Sequence, residues 1–273
     1  MTSRTLSLPP FEGRIAEAYD TPEIRALLAD PAALLASPGA EVLLAGRNRV
    51  VAAKIPGGPS GTEDVVVKEF CLRGIDALKS AVLLSKAAKA WRGAEFLRDA
   101  GFETPAPVAY LEKRKNGFVE RSYFIAERVT DGQEIRELFQ GLPGGLLSAL
   151  LFALAGTLVR LHEKGILHRD LSDGNILVRT VSEELRFVFL DTNRVRKRTR
   201  LSSAARANNL IRLGIPPAFQ DEFLHAYAYA AKSFPPSRAF LSRYALNKRI
   251  FSGWIKFKKA LRLKKIARRL KIQ

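Results

Sequence analysis

Apolar and polar residues alternate in five short runs of the first half of the chain, and this pattern indicates β-strands. The runs are residues 41–45, 49–55, 64–70, 104–110 and 122–127. Turns rich in glycine, proline or charge separate them, so the first three runs predict an antiparallel meander. Upstream, Thr21 and Asp30 each precede a proline, as helix caps often do. Residues 1–40 are therefore predicted to form a helical extension without chemistry of its own.

Two longer segments repeat apolar residues at the spacing of an α-helix. Residues 76–100 carry the first repeat, and Gly101 follows it, where a left-handed residue often ends a helix. The second repeat is rich in leucine and leads into the middle of the chain. Its apolar stretch, residues 145–159, is shorter than the roughly 18 residues that a membrane-spanning helix needs. We therefore predict a buried core helix there.

A short loop after the leucine-rich helix carries the most informative residues of the chain. It contains His168-Arg169-Asp170 and, five positions after the aspartate, Asn175. In the catalytic loop of kinases, an aspartate so placed accepts the proton of the attacking hydroxyl, and the asparagine binds magnesium. The second of two apolar strands that follow delivers Asp191, a further predicted magnesium ligand. The alternative interpretation of the tripeptide alone is a solvated turn beside a buried histidine.

Residues earlier in the chain complete the set that a kinase needs. Lys68 lies on the third strand, where kinases place the lysine that pairs the α- and β-phosphates. Lys54, at the end of the second strand, is a competing candidate. Glu95 is the candidate for the acid that orients the lysine, because it shares the apolar face of the predicted helix. The polar linker after the fifth strand is a candidate hinge, in which backbone groups of Glu127 and Val129 would bind the adenine edge.

Composition indicates the class of protein and its compartment. The 273 residues are 47% hydrophobic and 26% charged, enough to bury a core as one large domain or two lobes. The single cysteine, Cys71, and a start without an apolar signal segment predict a reducing, cytoplasmic setting. His162 and His225 are expected to be structural or surface residues, because no cluster has metal-site spacing. The net charge of +18 implies a polyanionic partner, such as nucleic acid, an acidic membrane or a phosphorylated glycolipid.

Four parts of the chain together resemble one known family. They are Lys68, segment 101–110 (GFETPAPVAY), loop 168–178 (HRDLSDGNILV) and segment 189–196 (FLDTNRVR). The combination resembles the bacterial lipopolysaccharide core kinases, the Kdo and heptose kinase family, over about residues 41–230. Two features depart from the eukaryotic kinase pattern. Thr192-Asn193 follow Asp191 in place of Phe-Gly, and the first hairpin has only Gly46 in place of a glycine-rich loop.

The resemblance implies an α+β, two-lobed protein-kinase-like fold, with a small antiparallel-sheet N-lobe that has one long helix and a mainly helical C-lobe. The expected N-lobe is residues 41–128 and the C-lobe residues 129–242, between the extension 1–40 and a tail of residues 243–273. The family implies an enzyme that uses ATP and Mg2+ to phosphorylate a Kdo or heptose hydroxyl of the lipopolysaccharide inner core. The protein would be cytoplasmic and peripheral to the inner membrane.

The charge near Asp191 favours an anionic acceptor. Five cations lie within residues 194–200, and residues 192–212 contain no acid, whereas an enzyme for cationic sugars needs an acidic pocket. An anionic glycolipid or sugar is therefore the expected acceptor. Alternatives are another small-molecule or protein kinase of related fold, a non-catalytic ATP-binding protein and a nucleic-acid-binding protein. The last is disfavoured because the basic segments lack binding motifs and interleaved aromatic residues.

The tail, residues 243–273, holds twelve lysines and arginines and no acid. Its apolar residues fall on two displaced helical stripes, Ile250, Trp254, Phe257 and Leu261, and Leu263, Ile266 and Leu270. Two short amphipathic pieces are therefore predicted, lying on the anionic surface of the inner membrane. The alternative is a helix that packs its apolar stripe on the large lobe and leaves its charges in water.

Overall fold

Two units of structure divide the chain, and each is assembled from two separate segments. The structure, a computed structural model, describes residues 2–46, 48–71, 81–233 and 237–269. The first unit comprises Met1–Gln133 and Leu177–Arg196, and the second comprises Glu134–Ile176 and Lys197–Gln273. The predicted boundary at residue 129 therefore lies close to the first crossing, but the return of residues 177–196 to the first unit was not predicted.

A seven-stranded sheet is the framework of the first unit. Its strands are β1 (Ser3–Leu8), β2 (Phe11–Ala16), β3 (Glu41–Leu44), β4 (Asn48–Gly58), β5 (Gly61–Cys71), β6 (Pro107–Lys115) and β7 (Phe118–Glu127). They lie in the order β1-β2-β6-β7-β5-β4-β3, and every neighbouring pair is antiparallel. The predicted meander of three strands is confirmed as β3, β4 and β5.

Residues 3–16 form a β-hairpin, so the prediction of a purely helical extension over residues 1–40 is wrong. β2 pairs with β6 and thereby extends the sheet by two strands. Leu6 and Ile15 are fully buried in the core of the first unit, which offsets the entropy lost on ordering this segment. The hairpin was missed because its apolar residues are few and widely separated.

Two short helices follow the hairpin, as the proline positions predicted. They are α1 (Pro22–Leu28) and α2 (Pro31–Leu34). The hydroxyl of Thr21 and the carboxylate of Asp30 accept hydrogen bonds from backbone N–H groups of the first turns. These caps satisfy donors that the helices cannot pair internally.

Helix α3 (Lys86–Asp99) is shorter than the predicted helix over residues 76–100. Ser85 caps it, because its hydroxyl accepts a hydrogen bond from a backbone N–H of the first turn at 2.9 Å. Val82, which the apolar repeat placed on the buried face, is 90% exposed in the turn before the cap. The predicted residues 76–80 lie outside the described part of the chain. Gly101 has a φ of +82° and ends the helix as predicted.

The strands of the later part of the chain are short. They are β8 (Gln133–Glu134), β9 (Ile166–His168), β10 (Ile176–Val181), β11 (Glu184–Phe189) and β12 (Val195–Lys197). β11 is tied to the segment before β6, because the Thr104 hydroxyl donates to the Phe189 carbonyl and the Phe189 N–H donates to the Glu103 carbonyl. Glu103 and Thr104 belong to no strand of the seven-stranded sheet, so the strand predicted over residues 104–110 begins only at Pro107.

Helices make up most of the second unit. They are α4 (Ile135–Gly141), α5 (Gly144–Glu163), α6 (Ser203–Leu210), α7 (Gln220–Ala230) and α8 (Arg238–Arg269). α5 packs against α7, and α6 packs against α8. α5 extends beyond its apolar stretch, so by length and composition alone it could cross a membrane. Half of its most apolar part is buried inside the protein, however, and that burial favours the predicted core helix.

A buried polar network joins three helices of the second unit. The ring of His162 on α5 lies 2.7 Å from the Tyr227 hydroxyl on α7 and 3.0 Å from the side-chain oxygen of Asn209 on α6. Asn209 donates in turn to the carbonyl of His168 at 2.7 Å. Burial lowers the pKa of His162 to about 4, so the ring is neutral at pH 7. His162 is thus structural, as predicted, and His225 is exposed on α7.

Helix α8 is continuous and begins at Arg238, so neither the boundary at residue 243 nor the division into two pieces is correct. Its first half packs against the rest of the second unit. There Tyr244 is 3% exposed, and the ammonium group of Lys248 donates to two backbone carbonyls. The tail is therefore part of the fold over its first turns.

The second half of α8 exposes the predicted apolar stripe. Its members are each at least half exposed and are Ile250, Trp254, Phe257 and Leu261. Nine of the twelve cations of the tail follow Ser252. The other predicted stripe, which consists of Leu263, Ile266 and Leu270, lies outside the described side chains. Over the described part, the alternative that the apolar stripe packs on the protein does not hold.

We predict that His162 makes stability depend on pH in a defined window. Its folded pKa lies below the unfolded value, so the neutral ring stabilises the fold fully above pH 6.5, and this contribution is lost as pH falls from 6.5 towards 4. The free energy of unfolding should fall over that window by up to about 3 kcal/mol more in the wild type than in His162→Gln.

Urea unfolding at pH 7, 5.5 and 4 measures this difference. The exposed His225→Gln variant is the matched control and should keep the wild-type dependence on pH. An unchanged pH dependence in His162→Gln would contradict the assignment.

Candidate active site

An ion pair between β5 and the turn after β11 is the centre of a candidate nucleotide site in the first unit. The Nζ atom of Lys68 lies 2.6 Å from Oδ1 of Asp191. The two side chains are 20% and 28% exposed, so the pair is partly desolvated but open to a ligand. The structure therefore brings together two residues that the sequence placed in one site, although they are 123 positions apart.

The backbone of Asp191 is left-handed, with a φ of +51° and a ψ of +56°. Few residues other than glycine adopt this conformation, and those that do cluster at functional sites. The side-chain nitrogen of Asn193 donates to Oδ1 of Asp191 at 2.8 Å. The Asp191 carboxylate is thus oriented by two donors on Oδ1, Lys68 and Asn193, the second of which lies where eukaryotic kinases have the Gly of Phe-Gly.

Helix α3 holds the turn after Asp191 through a very close contact. The buried Thr192 hydroxyl donates to the carbonyl of Ala90 at 2.6 Å. A Cβ atom at Gly93 would lie 2.1 Å from the Thr192 carbonyl oxygen, so only glycine allows the helix to approach this closely. α3 therefore positions Asp191 through the backbone of the next residue.

The structure does not join Glu95 to Lys68 among the residues that it describes. Helix α3, which carries Glu95, packs against β6 and β7. In the described residues Lys68 pairs with Asp191 instead, and the role of Glu95 stays a prediction. Lys54 is exposed on β4, so it is Lys68 that meets Asp191.

The predicted hinge after β7 is anchored on the sheet side. The N–H of Glu127 donates to the carbonyl of Ala106 at 2.9 Å, and its carboxylate accepts the Tyr19 hydroxyl at 2.6 Å. That N–H of Glu127 is therefore engaged, and the adenine contacts expected of Glu127 and Val129 stay a prediction. Tyr19 was missed because no local signal shows that a tyrosine 108 positions earlier reaches the hinge.

A cavity of about 680 Å³ lies beside the same linker. Residues 127–131 line it, together with residues 101–106 and Arg179. Arg179 pairs there with Glu103 at 2.8 Å and with Asp131 at 3.1 Å. Neither Lys68 nor Asp191 lines this cavity, so the nucleotide phosphates are not assigned to it.

The loop after β9 carries the other two predicted residues, in the second unit. The side-chain nitrogen of Asn175 donates to the backbone carbonyl of Asp170 at 2.8 Å. This bond leaves the amide oxygen of Asn175 as the atom that can bind a metal ion. Arg136 on α4 braces the same loop through Asp173, at 3.2 Å. The spacing of five residues between Asp170 and Asn175 thus also has a structural role, because the hydrogen bond between these two residues closes the loop.

Arg212 contacts the Asp170 carboxylate, and the sequence did not single it out. Its Nη2 atom lies 2.7 Å from Oδ1 of Asp170. Its guanidinium carbon lies 5.7 Å from the centroid of the Phe251 ring on α8. The absence of acidic residues over 192–212 indicated a positively charged segment. It did not show which of the cations in that segment contacts the loop of Asp170.

The cations that follow Asp191 lie mostly on the surface. The exposed ones are Arg194, Lys197, Arg198 and Arg200. Arg196 is partly buried, and its guanidinium donates to the carbonyls of Asn193 and Val195. The surface charge over this segment is therefore strongly positive, and its role toward an acceptor stays a prediction.

Taken separately, Asp191 in the first unit and Asn175 in the second each offer an oxygen donor that suits magnesium. The ion prefers hard oxygen ligands, and in kinase sites it takes one or two protein side chains, phosphate oxygens and waters. Within the described residues, no group of three or more His, Cys, Asp or Glu side chains could hold a metal. A magnesium ion shared with a nucleotide does not require such a group, since the phosphates supply the remaining oxygens.

Comparison with known proteins tests the resemblance drawn from the four segments. The sequence profile of the lipopolysaccharide kinase (Kdo/WaaP) family matches residues 76–220, just over half of the chain. The chain belongs to this family. It is 29% identical over 136 residues to the lipopolysaccharide core heptose(I) kinase WaaP of Escherichia coli, which is 46% of this chain and 51% of that protein.

A second relative in the Kdo/WaaP family is the 3-deoxy-D-manno-octulosonic acid kinase of Haemophilus influenzae (strain PittGG). It is 31% identical over 97 residues, which is 35% of this chain and 39% of that protein. The chain thus spans about half of the length of the first relative and about two-fifths of the second. A solved structure of WaaP in complex with acyl carrier protein matches with a TM-score of 0.57 and 20% identity, over 80% of this chain and 90% of that one. The kinase-like fold of helices and antiparallel sheet is therefore confirmed.

We predict that Gly93→Ala weakens the nucleotide site by pushing α3 away from the turn after Asp191. Overpacking of this kind costs about 1–3 kcal/mol of stability. The dissociation constant of Mg-ATP should rise about tenfold, because a shift of that turn costs on the order of 1.4 kcal/mol in binding.

Gly156→Ala on α5 is the matched control, since a Cβ atom there meets no neighbour within 4 Å. It should leave binding unchanged and raise stability by up to about 1 kcal/mol. Calorimetric titration and thermal unfolding measure both effects. Wild-type affinity in a folded Gly93→Ala variant would show that α3 does not position Asp191.

Proposed function

We propose that the protein is an ATP-dependent kinase that transfers the γ-phosphoryl group to a Kdo or heptose hydroxyl of the lipopolysaccharide inner core. The observation that carries the proposal is the hydrogen-bonded loop of Asp170 and Asn175, in a chain of the Kdo/WaaP family that also pairs Lys68 with Asp191. A protein that only bound ATP would have no use for the base. All four residue types that kinase chemistry uses are present.

In this proposal, Asp170 orients the acceptor hydroxyl and receives its proton. The hydroxyl oxygen bonds to the γ-phosphorus while the bond from that phosphorus to the β-phosphate oxygen breaks, and ADP leaves. Lys68 moves from Asp191 to the α- and β-phosphates. Positioning and neutralisation of charge supply most of the acceleration, because the phosphoryl group itself needs little covalent help.

Asp191 and Asn175 would hold the magnesium ion. When bound, the ion neutralises negative charge on the phosphates. The Lys68–Asp191 pair compensates the charge of both side chains. The left-handed backbone of Asp191, fixed by Thr192 and α3, keeps the carboxylate in place when its partner changes.

We assign the nucleotide to the first unit and the acceptor to the second, as the N-lobe and C-lobe of a two-lobed kinase. The first unit supplies the sheet, Lys68 and Asp191, and the second supplies the base. The exposed cations Lys197, Arg198 and Arg200 belong to the second unit and support an anionic acceptor. A carboxylate or phosphate on an inner-core sugar or glycolipid has the matching charge.

The exposed half of α8 supports a peripheral position on the anionic cytoplasmic face of the inner membrane. The rings of Trp254 and Phe257 stack 5.7 Å apart, and the ammonium group of Lys258 lies 5.0 Å from the Trp254 ring centroid. Exposed aromatic residues among dense cations suit the interface of an anionic bilayer. Each cation near such a surface contributes about 1 kcal/mol, and salt weakens the attraction.

We predict that Asp170→Ala abolishes phosphoryl transfer and leaves the fold and Mg-ATP binding intact. Loss of a general base lowers turnover about 10²–10⁴-fold. Lys68→Met and Asp191→Ala should instead weaken Mg-ATP binding, because they remove the groups assigned to the phosphates and the metal. The assay is transfer from γ-labelled ATP to a dephosphorylated, Kdo-containing inner-core oligosaccharide.

Lys54→Met is the matched control for Lys68→Met, since both lysines lie on neighbouring strands and Lys54 is exposed. It should keep wild-type activity. Near-wild-type turnover by Asp170→Ala would show that the base is wrongly assigned. An inactive Lys54→Met beside an active Lys68→Met would move the nucleotide lysine to β4.

We predict that a chain ending at Ser252 loses most of its binding to vesicles that contain phosphatidylglycerol. It removes nine cations and the exposed aromatic residues but keeps Tyr244 and Lys248, which pack in the second unit. A truncation at Ser242 would remove those contacts as well and would confuse binding with folding. The shortened protein should still phosphorylate a water-soluble acceptor.

Vesicle sedimentation at low and high salt measures the effect, with phosphatidylcholine vesicles as the neutral control. Wild-type binding should fall as salt rises. Equal binding by the full-length and shortened proteins at low salt would rule out the membrane role of α8.

A further inference from the structure

The Asp170 carboxylate is held by a cation that comes from outside its own loop. Arg212 lies in the turn after α6, and its Nη2 atom is 2.7 Å from Oδ1 of Asp170. Residues 171–176, which complete the loop, contain no lysine or arginine. Arg169, on the other side of Asp170, is exposed. Arg212 is therefore a cation that the fold delivers to the predicted base from outside its loop.

Helix α8 fixes the backbone on both sides of Arg212. The ammonium group of Lys248 donates to the carbonyls of Ile211 and Leu213, each at 2.8 Å. One turn later, the Phe251 ring lies against the guanidinium, 5.7 Å from its central carbon. Both contacts come from the packed half of α8. The position of the guanidinium is thus built by the fold and does not depend on a flexible surface side chain.

The turn that carries Arg212 also lies directly against the catalytic loop. A Cβ atom at Gly214 would fall 2.2 Å from a carboxylate oxygen of Asp173, so a larger residue there would displace the Asp173 side chain. The Nε atom of Arg212 is buried and has no hydrogen-bond partner among the described residues. A guanidinium with one donor on Asp170 therefore retains donors for a further acceptor of hydrogen bonds.

We propose that Arg212 is a positioning and charge-neutralising residue for the phosphoryl transfer, an inference that rests on the proposed function. Its Nη2 holds the Asp170 carboxylate through Oδ1 while that carboxylate takes the proton of the acceptor hydroxyl. Its remaining N–H groups donate to oxygens of the phosphoryl group as the new O–P bond forms and the bond to ADP breaks. Arg212 itself gains and loses no proton.

The distances in such a reaction support this role. The hydroxyl lies within about 3 Å of Asp170 and attacks phosphorus from about 3–3.5 Å, so the phosphoryl group passes close to a cation on the same carboxylate. Negative charge spreads over three oxygens of that group in the transition state. The planar fork of arginine can bridge a carboxylate and a phosphoryl oxygen, and the single point charge of lysine cannot do both equally well.

Three variants test the role, and Arg249→Gln is the matched control. Arg249 is exposed on α8 beside Lys248 and carries the same charge. The readouts are turnover with the Kdo-containing oligosaccharide, the KM of ATP and of the acceptor, acceptor-free ATP hydrolysis and thermal unfolding. Arginines that stabilise a transferring phosphoryl group contribute about 10³–10⁵ in kcat, so Arg212→Gln should lose at least about 10²-fold in turnover.

We expect acceptor-free hydrolysis to fall by a similar factor in Arg212→Gln, because water then replaces the sugar hydroxyl and the phosphoryl charge is unchanged. Both KM values should stay within about threefold of wild type, since the groups that bind ATP in the ground state are elsewhere. Arg212→Lys should fall between Arg212→Gln and wild type. Millimolar guanidinium should restore part of the activity of Arg212→Ala, and Arg249→Gln should behave as wild type.

Several results would overturn the inference. A raised acceptor KM with unchanged ATP hydrolysis would make Arg212 an anchor for the acceptor. Lost activity that follows lost thermal stability, without guanidinium rescue, would make its role structural. Full turnover by Arg212→Gln beside an active wild type would remove Arg212 from the mechanism and leave the proposed function standing. A wild-type protein that transfers no phosphate would refute the proposed function and this inference together.

Discussion

The ion pair between Lys68 and Asp191 is the interaction on which the candidate nucleotide site depends. A central strand presents the lysine, and a turn 123 positions later presents the aspartate, so neither residue has a role without the tertiary fold. The Thr192 hydroxyl holds that turn against α3, and the turn approaches α3 so closely that position 93 allows no residue larger than glycine. The fold thereby keeps a partly desolvated carboxylate oriented, which exchange between a lysine and a metal ion requires.

The second unit holds the loop that carries Asp170, the proposed base, in a comparable way. Asp170 sits in a loop closed by Asn175, and the carbonyl of His168 just before it is fixed by a buried network around His162. α8 contributes to the same region from its packed half and carries its charge on its exposed half. One helix therefore links the surroundings of the base to the surface that we assign to the membrane. The contacts of the packed half of α8 explain why the first turns of the tail are part of the fold.

Local pattern predicted the parts of the fold whose signals are short in range. The meander, the two capped helices and the end of α3 at Gly101 follow from alternation, proline and glycine. The spacing of Asp170 and Asn175 indicated a kinase catalytic loop, and four segments together indicated the family. What could not be predicted depends on distant partners: the first hairpin becomes a strand pair only against β6, Tyr19 reaches Glu127, and Arg212 reaches Asp170. The pairing of Lys68 with Asp191 also belongs here, because the two residues are 123 positions apart in the sequence.

The central claim is that this chain phosphorylates the inner core of lipopolysaccharide with Asp170 as the base. The most direct measurement is mass spectrometry of inner-core lipopolysaccharide from cells that carry either the wild-type chain or Asp170→Ala at the same protein level. We expect an inner-core sugar to carry a phosphate with the wild-type chain and to lack it with the variant. The same phosphate content in both would contradict the claim.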